Sequence, residues 1–310
     1  MEKIERPQKL AEPPSDSGHI DYLSPFVNGY ARAKVRDLWG YVDMNMHFVV
    51  TPRFDGASDF QNGKALILGA GKMKFVSPDG TVLGDLDETR NDDTTGLSYR
   101  LSDTLYVSSR LGVMLREYPR LNADTTAVLP YGTPVEVIEE PTTHRLDLVD
   151  NVRGYWVLVT ARQEDGYVFD GFMSKLPPPD SILEDQFMGS LRNYSLRQIG
   201  ALGPMYRVEV EPRDYGSYHV YDVQQLHGGM LLTVEMFYEG YETTLEVPNL
   251  SVREGLTLIH ALLSQNAKDN RISYRTIRED EIGFNYEFGG YCSIKKLSNG
   301  ILRIKMGGSL

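Results

Sequence analysis

The hexapeptides FVNGYA, from Phe26, and FQNGKA, from Phe60, repeat an aromatic residue, an Asn-Gly pair and an Ala at an interval of 34 residues. An interval of that size is long enough for one supersecondary unit and too short for a domain. Superposing Phe26 on Phe60 also places Tyr41 on Phe75, Val42 on Val76 and Asn45 on Asp79. Each copy then reads as a Gly-containing turn, a short alternating strand, a second turn and a further strand. A unit of this kind buries its apolar face only against a neighbour, which is why such units come in series. Two copies are few for a free-standing repeat domain, so this part of the chain is expected to lean on another segment.

Composition divides the 310 residues into three stretches. Residues 1–19 are polar and rich in proline and charge and read as a flexible tail. The repeat occupies 20–86. An acidic, turn-rich segment, DLDETRNDDTTG at 85–96, lacks the apolar residues to build a core, and 87–99 is read as a linker. A second stretch runs over 100–176. It stops at Pro177-Pro178-Pro179, where fixed φ and missing N–H donors favour a stiff spacer over 177–180. The remainder, 181–310, forms the third stretch. The fold class expected is mainly β and multi-domain, closing with an α+β domain built on an antiparallel sheet.

Two of the three stretches resemble known families. The pattern F-x-N-G-x-A, W-G-Y-V-D at 39–43 and V-V-T-P-x-F-D-x-A-x-x-F resembles the WG repeat of bacterial proteins, with Trp39-Gly40 as its signature. In the second copy Met73-Lys74 replaces that pair, and the pattern is lost after Leu83. Residues 100–176 resemble the bacterial SH3-like domain through four motifs in order: VMLREYP at 113–119, LPYGTPVEVI at 129–138, GYWVLV at 154–159 and DGYVFDGFMS at 165–174. Short alternating strands divided by Gly turns are the pattern of a small closed barrel. Met114 stands where that family often has Asn, and the insertion EEPTTHRLDLVDNVRG is longer than usual. The family pattern also implies a core position for Trp156.

The third stretch resembles no known family. DQFMGSLRNYSLRQIGAL at 185–202 has helical spacing at Phe187, Leu191 and Ile199. SVREGLTLIHALLSQN at 251–266 is a stronger helix: Ser251 and Glu254 form a capping box, and Val252, Leu256, Ile259 and Leu263 share a face. FYEGYETTLEV, YEFGGYCSIKK and KLSNGILRIKM carry hairpin signals around it.

Catalytic chemistry is hard to find. The single cysteine, Cys292, excludes an internal disulfide and Cys-based metal sites. It follows His227 and His260, whereas common cell-wall peptidases place the cysteine first, and it reads as a small half-buried strand residue. None of the six histidines, at 19, 47, 144, 219, 227 and 260, has the close pairing of a helical zinc motif. GAGK at 69–72 and MGGSL at 306–310 lack the helix that a phosphate loop needs behind it. Glu279-Asp280-Glu281 and Asp92-Asp93 read as solvated turns. No cofactor and no metal site is expected.

Nineteen tyrosines are the remaining lead. A ring with a polar tip suits both sheet surfaces and binding sites. The ligand-binding candidates are Tyr131, Tyr155 and Tyr167 in the second stretch and Tyr215, Tyr218, Tyr238 and Tyr241 in the third. The net charge of -11 argues against nucleic acid as a partner. No run approaches a transmembrane span, and the amino terminus lacks the apolar core of a signal peptide. The chain as it stands reads as cytoplasmic, and as an envelope protein if a leader has been removed. WG-repeat and SH3-like resemblance implies display modules. The expected function is a non-catalytic binding protein for a protein, peptide or cell-wall ligand. Two alternatives stand beside it: an enzyme with its active site in the third stretch, drawing on Cys292, His227, His260 and Glu235/Glu239/Glu242, and an acidic inhibitor or immunity-type protein.

Overall fold

The computed structural model describes residues 19–85, 99–139, 147–150, 152–179, 190–211, 218–264, 273–278, 280–286 and 290–309. The amino-terminal tail, nearly all of the acidic linker, Asp92-Asp93, Glu279 and Tyr215 lie outside these residues. The chain divides into two compact units, Met1–Thr89 with Tyr206–Tyr218, and Arg90–Met205 with His219–Leu310.

The first unit contains two four-stranded antiparallel meanders. One is β1 (Tyr22–Leu23), β2 (Tyr30–Val35), β3 (Leu38–Asp43) and β4 (Phe48–Phe54); the other is β5 (Gly56–Ala57), β6 (Ala65–Gly69), β7 (Lys72–Val76) and β8 (Val82–Asp85). The 34-residue period is visible bond by bond. Val27 and Tyr30 exchange backbone hydrogen bonds of 2.8 and 3.1 Å around Asn28-Gly29, and Gln61 and Lys64 do so at the same two distances around Asn62-Gly63. Both residues of each pair have positive φ, the backbone of a type I′ hairpin turn. Trp39-Gly40 has a steric reason: a Cβ at Gly40 would stand 2.4 Å from the Val50 carbonyl oxygen. Only glycine lets β4 cross β3 this closely, and Trp39 beside it is buried under Tyr22, Arg32 and Lys34.

The third turn of each copy repeats as well. Met46 N donates to Asp43 O and Asp43 N to His47 O; Gly80 N donates to Ser77 O and Ser77 N to Thr81 O. This is a type I turn closed by one left-handed residue. That residue is Gly80 (φ 84°) in the second copy and Met46 (φ 64°) in the first. A residue with a β-carbon costs about 1 kcal/mol more than glycine there. As two copies alone lead one to expect, another segment covers them. Tyr206 and Val208 are buried, the Tyr206 ring packs edge-on against Phe75 at 5.1 Å, and Glu211 pairs with Lys34 at 2.7 Å.

The second unit begins with a seven-stranded sheet of β9 (Thr104–Val107), β10 (Val113–Arg116), β11 (Thr125–Leu129), β12 (Pro134–Glu139), β15 (Trp156–Ala161), β16 (Glu164–Phe169) and β17 (Met173–Ser174). Its order is β11-β10-β16-β15-β12-β9-β17, and the described part of the long insertion contains a pair of antiparallel strands, β13 (Asp147–Val149) and β14 (Val152–Gly154). Alternation along β15 sends Val157 and Val159 inward to meet Leu105, Leu115 and Val137. Trp156, expected in that core, is half-buried in the outward phase: its Nε1 donates to Asp147 at 2.7 Å and its ring lies 5.6 Å from Phe169.

The three prolines end the barrel but do not stand free as a spacer. Pro178 and Pro179 are buried, and the carbonyls of 177, 178 and 179 accept hydrogen bonds from Tyr194, Gln198 and Tyr131. After α1 (Ser190–Tyr194) and a π-helical turn to Ile199 comes an eight-stranded antiparallel sheet. It contains β18 (Ala201–Val210, whose residues from Tyr206 on belong to the first unit), β19 (His219–Leu226), β20 (Leu231–Phe237), β21 (Gly240–Pro248), β22 (Ser273–Ile277), β23 (Glu281–Tyr286), β24 (Gly290–Lys296) and β25 (Ile301–Ser309). Helix α2 (Val252–Ser264) covers one face, burying Leu258, Ile259 and Leu262 with Ile294, Leu302 and Ile304.

The capping box is present and does more than cap. Glu254 Oε2 accepts from Ser251 N (3.0 Å) and Oγ (2.7 Å), while Oε1 accepts from Lys175 N at the end of the barrel (2.9 Å). Arg253 donates to the Gly171 carbonyl at 2.7 Å. Removing the buried carboxylate takes away a cap and leaves a barrel amide without its acceptor. Glu254→Ala should therefore lower stability by about 2–4 kcal/mol in denaturant titration. A loss below about 1 kcal/mol would mean that the junction contributes little.

Candidate functional site

Two surfaces of the second unit gather side chains that the core does not explain. The first is the outer face of the β10–β11 hairpin. Val113 and Leu115 point into the barrel, so the residues between and after them, Met114 and Arg116, point out. Met114 is the direct partner of Val128 on β11, and both are about half exposed. Leu111 (97% exposed), Tyr118 and Leu121 extend this apolar surface beyond the strand ends. Arginines frame it: Arg120 lies 5.5 Å from the Tyr118 ring, Arg110 4.9 Å from the Tyr131 ring, and Arg116 reaches the Met114 sulfur at 3.1 Å. Strand β11 is terminal in its sheet. An edge strand with an apolar outer face is where a further extended chain can add.

The second surface is the face of the C-terminal sheet away from α2. Register places Tyr221, Glu235, Glu242, Gly307 and Tyr291 in one row across five strands. Glu235 and Glu242 are direct neighbours, an arrangement that costs stability unless each finds a counter-group. Glu235 is met by His219 Nδ1 at 2.7 Å. Glu242 accepts from Lys305 Nζ at 2.7 Å and from the Tyr291 hydroxyl at 2.6 Å. The reach of Tyr291 depends on Gly307, because a Cβ there would lie 2.6 Å from the phenol ring. The ring lies over the glycine between β24 and β21. Burial alone would push the Glu242 carboxyl up, but hydrogen bonds from Lys305 and Tyr291 outweigh it and hold the group below its ordinary range. The Tyr291 phenol is pushed up by burial and by the carboxylate it bonds. The arrangement is a partnered polar ladder, continued by Arg303–Glu246 and Lys295–Glu281 ion pairs.

The described tyrosines named from sequence lie on several different elements. Tyr131 is held between Arg110 and the Pro179 carbonyl. Tyr155 is half-buried and gives its backbone amide to the buried Asp170 at 2.7 Å. Tyr167 is half-buried on β16, opposite Arg116 and Leu158. Tyr218 belongs to the first unit, and its phenol is raised by burial and by Glu209. Tyr238 is 86% exposed beside β20. Tyr241 alternates with Glu242 and faces the other side of the sheet, beside Gly308. Cys292 is buried in the core under α2, where burial pushes its thiol up; a nucleophilic thiolate requires the opposite shift. His260 lies edge-on to Phe284, and His227 sits in the turn after β19, against Gly200. Among the described residues no three His, Cys, Asp or Glu side chains gather as metal ligands, and no helix is long and apolar enough to cross a membrane.

Sequence reasoning passed over the β10–β11 surface. Its signal was present as apolar residues in the outward phase of two strands, Met114 and Val128, the former at a position where the resembled family often carries Asn.

Comparison with family models finds the WG containing repeat at residues 19–39 and 39–68 and the bacterial SH3 domain at 112–174. The chain thus carries WG-repeat regions and a bacterial SH3 domain, and the residues after 174 match no family model. Searches of curated proteins and of solved structures gave no match.

The Glu242 ladder has a pH signature. With its carboxyl held below the ordinary value of 4.5, the stability it contributes is full above that value and is lost as pH falls through the lower folded-state value. Wild type should therefore lose stability more steeply than Glu242→Gln below about pH 4.5. Tyr291→Phe should cost about 1 kcal/mol at neutral pH by chemical denaturation. Parallel pH profiles for wild type and Glu242→Gln would contradict the assignment.

Proposed function

We propose that this chain is a non-catalytic binding protein whose β modules recognise an extended protein or cell-wall peptide, with the β10–β11 hairpin of the SH3-like barrel as the contact surface. The observation that carries the reading is the exposed pair of Val128, on the terminal strand β11, and Met114, on its neighbour β10, extended by Leu111, Tyr118 and Leu121. An edge strand offers backbone N–H and C=O groups for main-chain pairing, and alternate apolar side chains supply the selectivity. Arg110, Arg116 and Arg120 give this surface a basic rim on an acidic chain, which favours ligands carrying carboxylates. Resemblance to WG-repeat and SH3 modules supports the same class of function, since both are built to display surfaces. A cell-wall ligand would place the protein in the envelope.

The test is co-sedimentation of the full chain with purified cell wall, alongside cross-linking mass spectrometry in lysate. Binding should map to residues 111–128. Met114→Gln with Val128→Thr, which removes the apolar pair without setting like charges on directly opposed residues, should weaken it about tenfold or more, while changing Tm little, because both side chains are about half exposed. Retention by neither material, or binding indifferent to the double variant, would overturn the proposal.

A further inference from the structure

The β3–β4 turn of the first WG copy reads Asp43-Met44-Asn45-Met46-His47. Its two thioethers and its imidazole are turned to solvent: Met44 is 67% exposed, Met46 47%, and the His47 side chain 81%. Methionine is ordinarily a core residue. The second copy supplies an internal control. It closes the same turn with the same backbone hydrogen bonds, using Pro78, Gly80 and Thr81 at the equivalent positions. The turn therefore needs no methionine. At one position methionine is unfavourable, because Met46 holds the left-handed backbone that Gly80 adopts freely. A strained residue kept in solvent points to a role outside the fold.

The turn is also preorganised. Asp43 Oδ1 accepts from the amides of Asn45 and His47, each at 2.9 Å, and Met46 N and Asp43 N complete the loop. Asp43 Oδ2 faces His47 Nδ1 at 3.9 Å. At 81% exposure the His47 ring is open to a metal arriving from solvent. Two thioethers with one imidazole make a soft donor set. Zn(II) and hard cations bind thioether sulfur poorly, whereas Cu(I) prefers it.

We propose that Met44, Met46 and His47 form a surface site for Cu(I). The site uses no cysteine, which matters in a chain whose single thiol is buried. It shares no residue with the β10–β11 surface and is independent of the ligand proposed there.

The experiment titrates the full chain with Cu(I), kept reduced by ascorbate, against a chromophoric Cu(I) chelator. Wild type should withdraw one equivalent of Cu(I). Met44→Leu keeps the apolar character and removes the sulfur; Met46→Gly removes the sulfur and relieves the backbone. Each should lower Cu(I) affinity at least 10- to 100-fold, the loss typical of removing even an outer-shell partner. Met46→Gly should do so with a Tm at or above that of wild type. Met205→Leu, an exposed methionine elsewhere, should leave affinity unchanged, and X-ray absorption of the loaded protein should show sulfur and nitrogen neighbours. Failure of wild type to compete, wild-type affinity in both Met44→Leu and Met46→Gly, or equal loss in Met205→Leu would each overturn the proposal.

Discussion

A single buried carboxylate organises the second unit. Glu254 is 1% exposed, and an unpaired charge at that depth would cost several kcal/mol. It is tolerated because both oxygens are used: one caps α2 through Ser251, and the other accepts the Lys175 amide as the chain leaves the barrel. The helix N-terminus adds a favourable dipole for the negative charge. Around it, Arg253 reaches the Gly171 and Met173 carbonyls, and Asp170 collects the Tyr155 amide and the Tyr99 hydroxyl. Burial pushes the Asp170 carboxyl up, against the pull of Arg253. Barrel and C-terminal sheet thus share a polar joint, and Leu176 enters the same apolar core as α2.

That joint explains why three compositional stretches give two compact units. The prolines at 177–179 look like a spacer because they lack amides and hold φ fixed. Their carbonyls remain acceptors, and Tyr194, Gln198 and Tyr131 use all three. Proline content reports what a backbone cannot donate; whether the segment is free depends on what approaches its acceptors, and those partners are distant in sequence. The cover of the WG repeats has the same character. Nothing local in MYRVEVE, residues 205–211, announces that Tyr206 and Val208 pack on a repeat more than a hundred residues earlier.

Local rules were legible where chemistry is local. The 34-residue period carried its turns with it, because Asn-Gly at 28–29 and 62–63 specifies the backbone directly. The capping box fixed the start of α2, and β-strand alternation fixed the barrel core. Alternation also shows why Trp156 is not in that core: Val157 and Val159 are in phase with the interior, so their neighbour faces out. The polar ladder was opaque. Glu242, Tyr291 and Lys305 are brought together by β21, β25 and β24, and the contact needs Gly307 to let a ring lie flat. The sequence shows a glycine there without showing what crosses it.

The two WG copies make a comparison that a single copy could not. Where they agree, at the Asn-Gly turns and at buried Tyr41/Phe75 and Val42/Val76, the shared residue is what the backbone or core requires. Where they differ at equal geometry, the fold has left the choice open. Met46 against Gly80 is such a place, and there the first copy carries the residue less suited to its φ. In the barrel, Met114 and Val128 likewise occupy outward positions that strand geometry leaves free. A residue that lowers or leaves unchanged the stability of its own scaffold, at a site whose geometry is satisfied without it, is best read as serving a contact with something else. By that criterion the β3–β4 turn and the outer face of strands β10 and β11 are where the fold leaves the choice of side chain open. Tyr131, for its part, is spent on the fold, its hydroxyl donating to the Pro179 carbonyl.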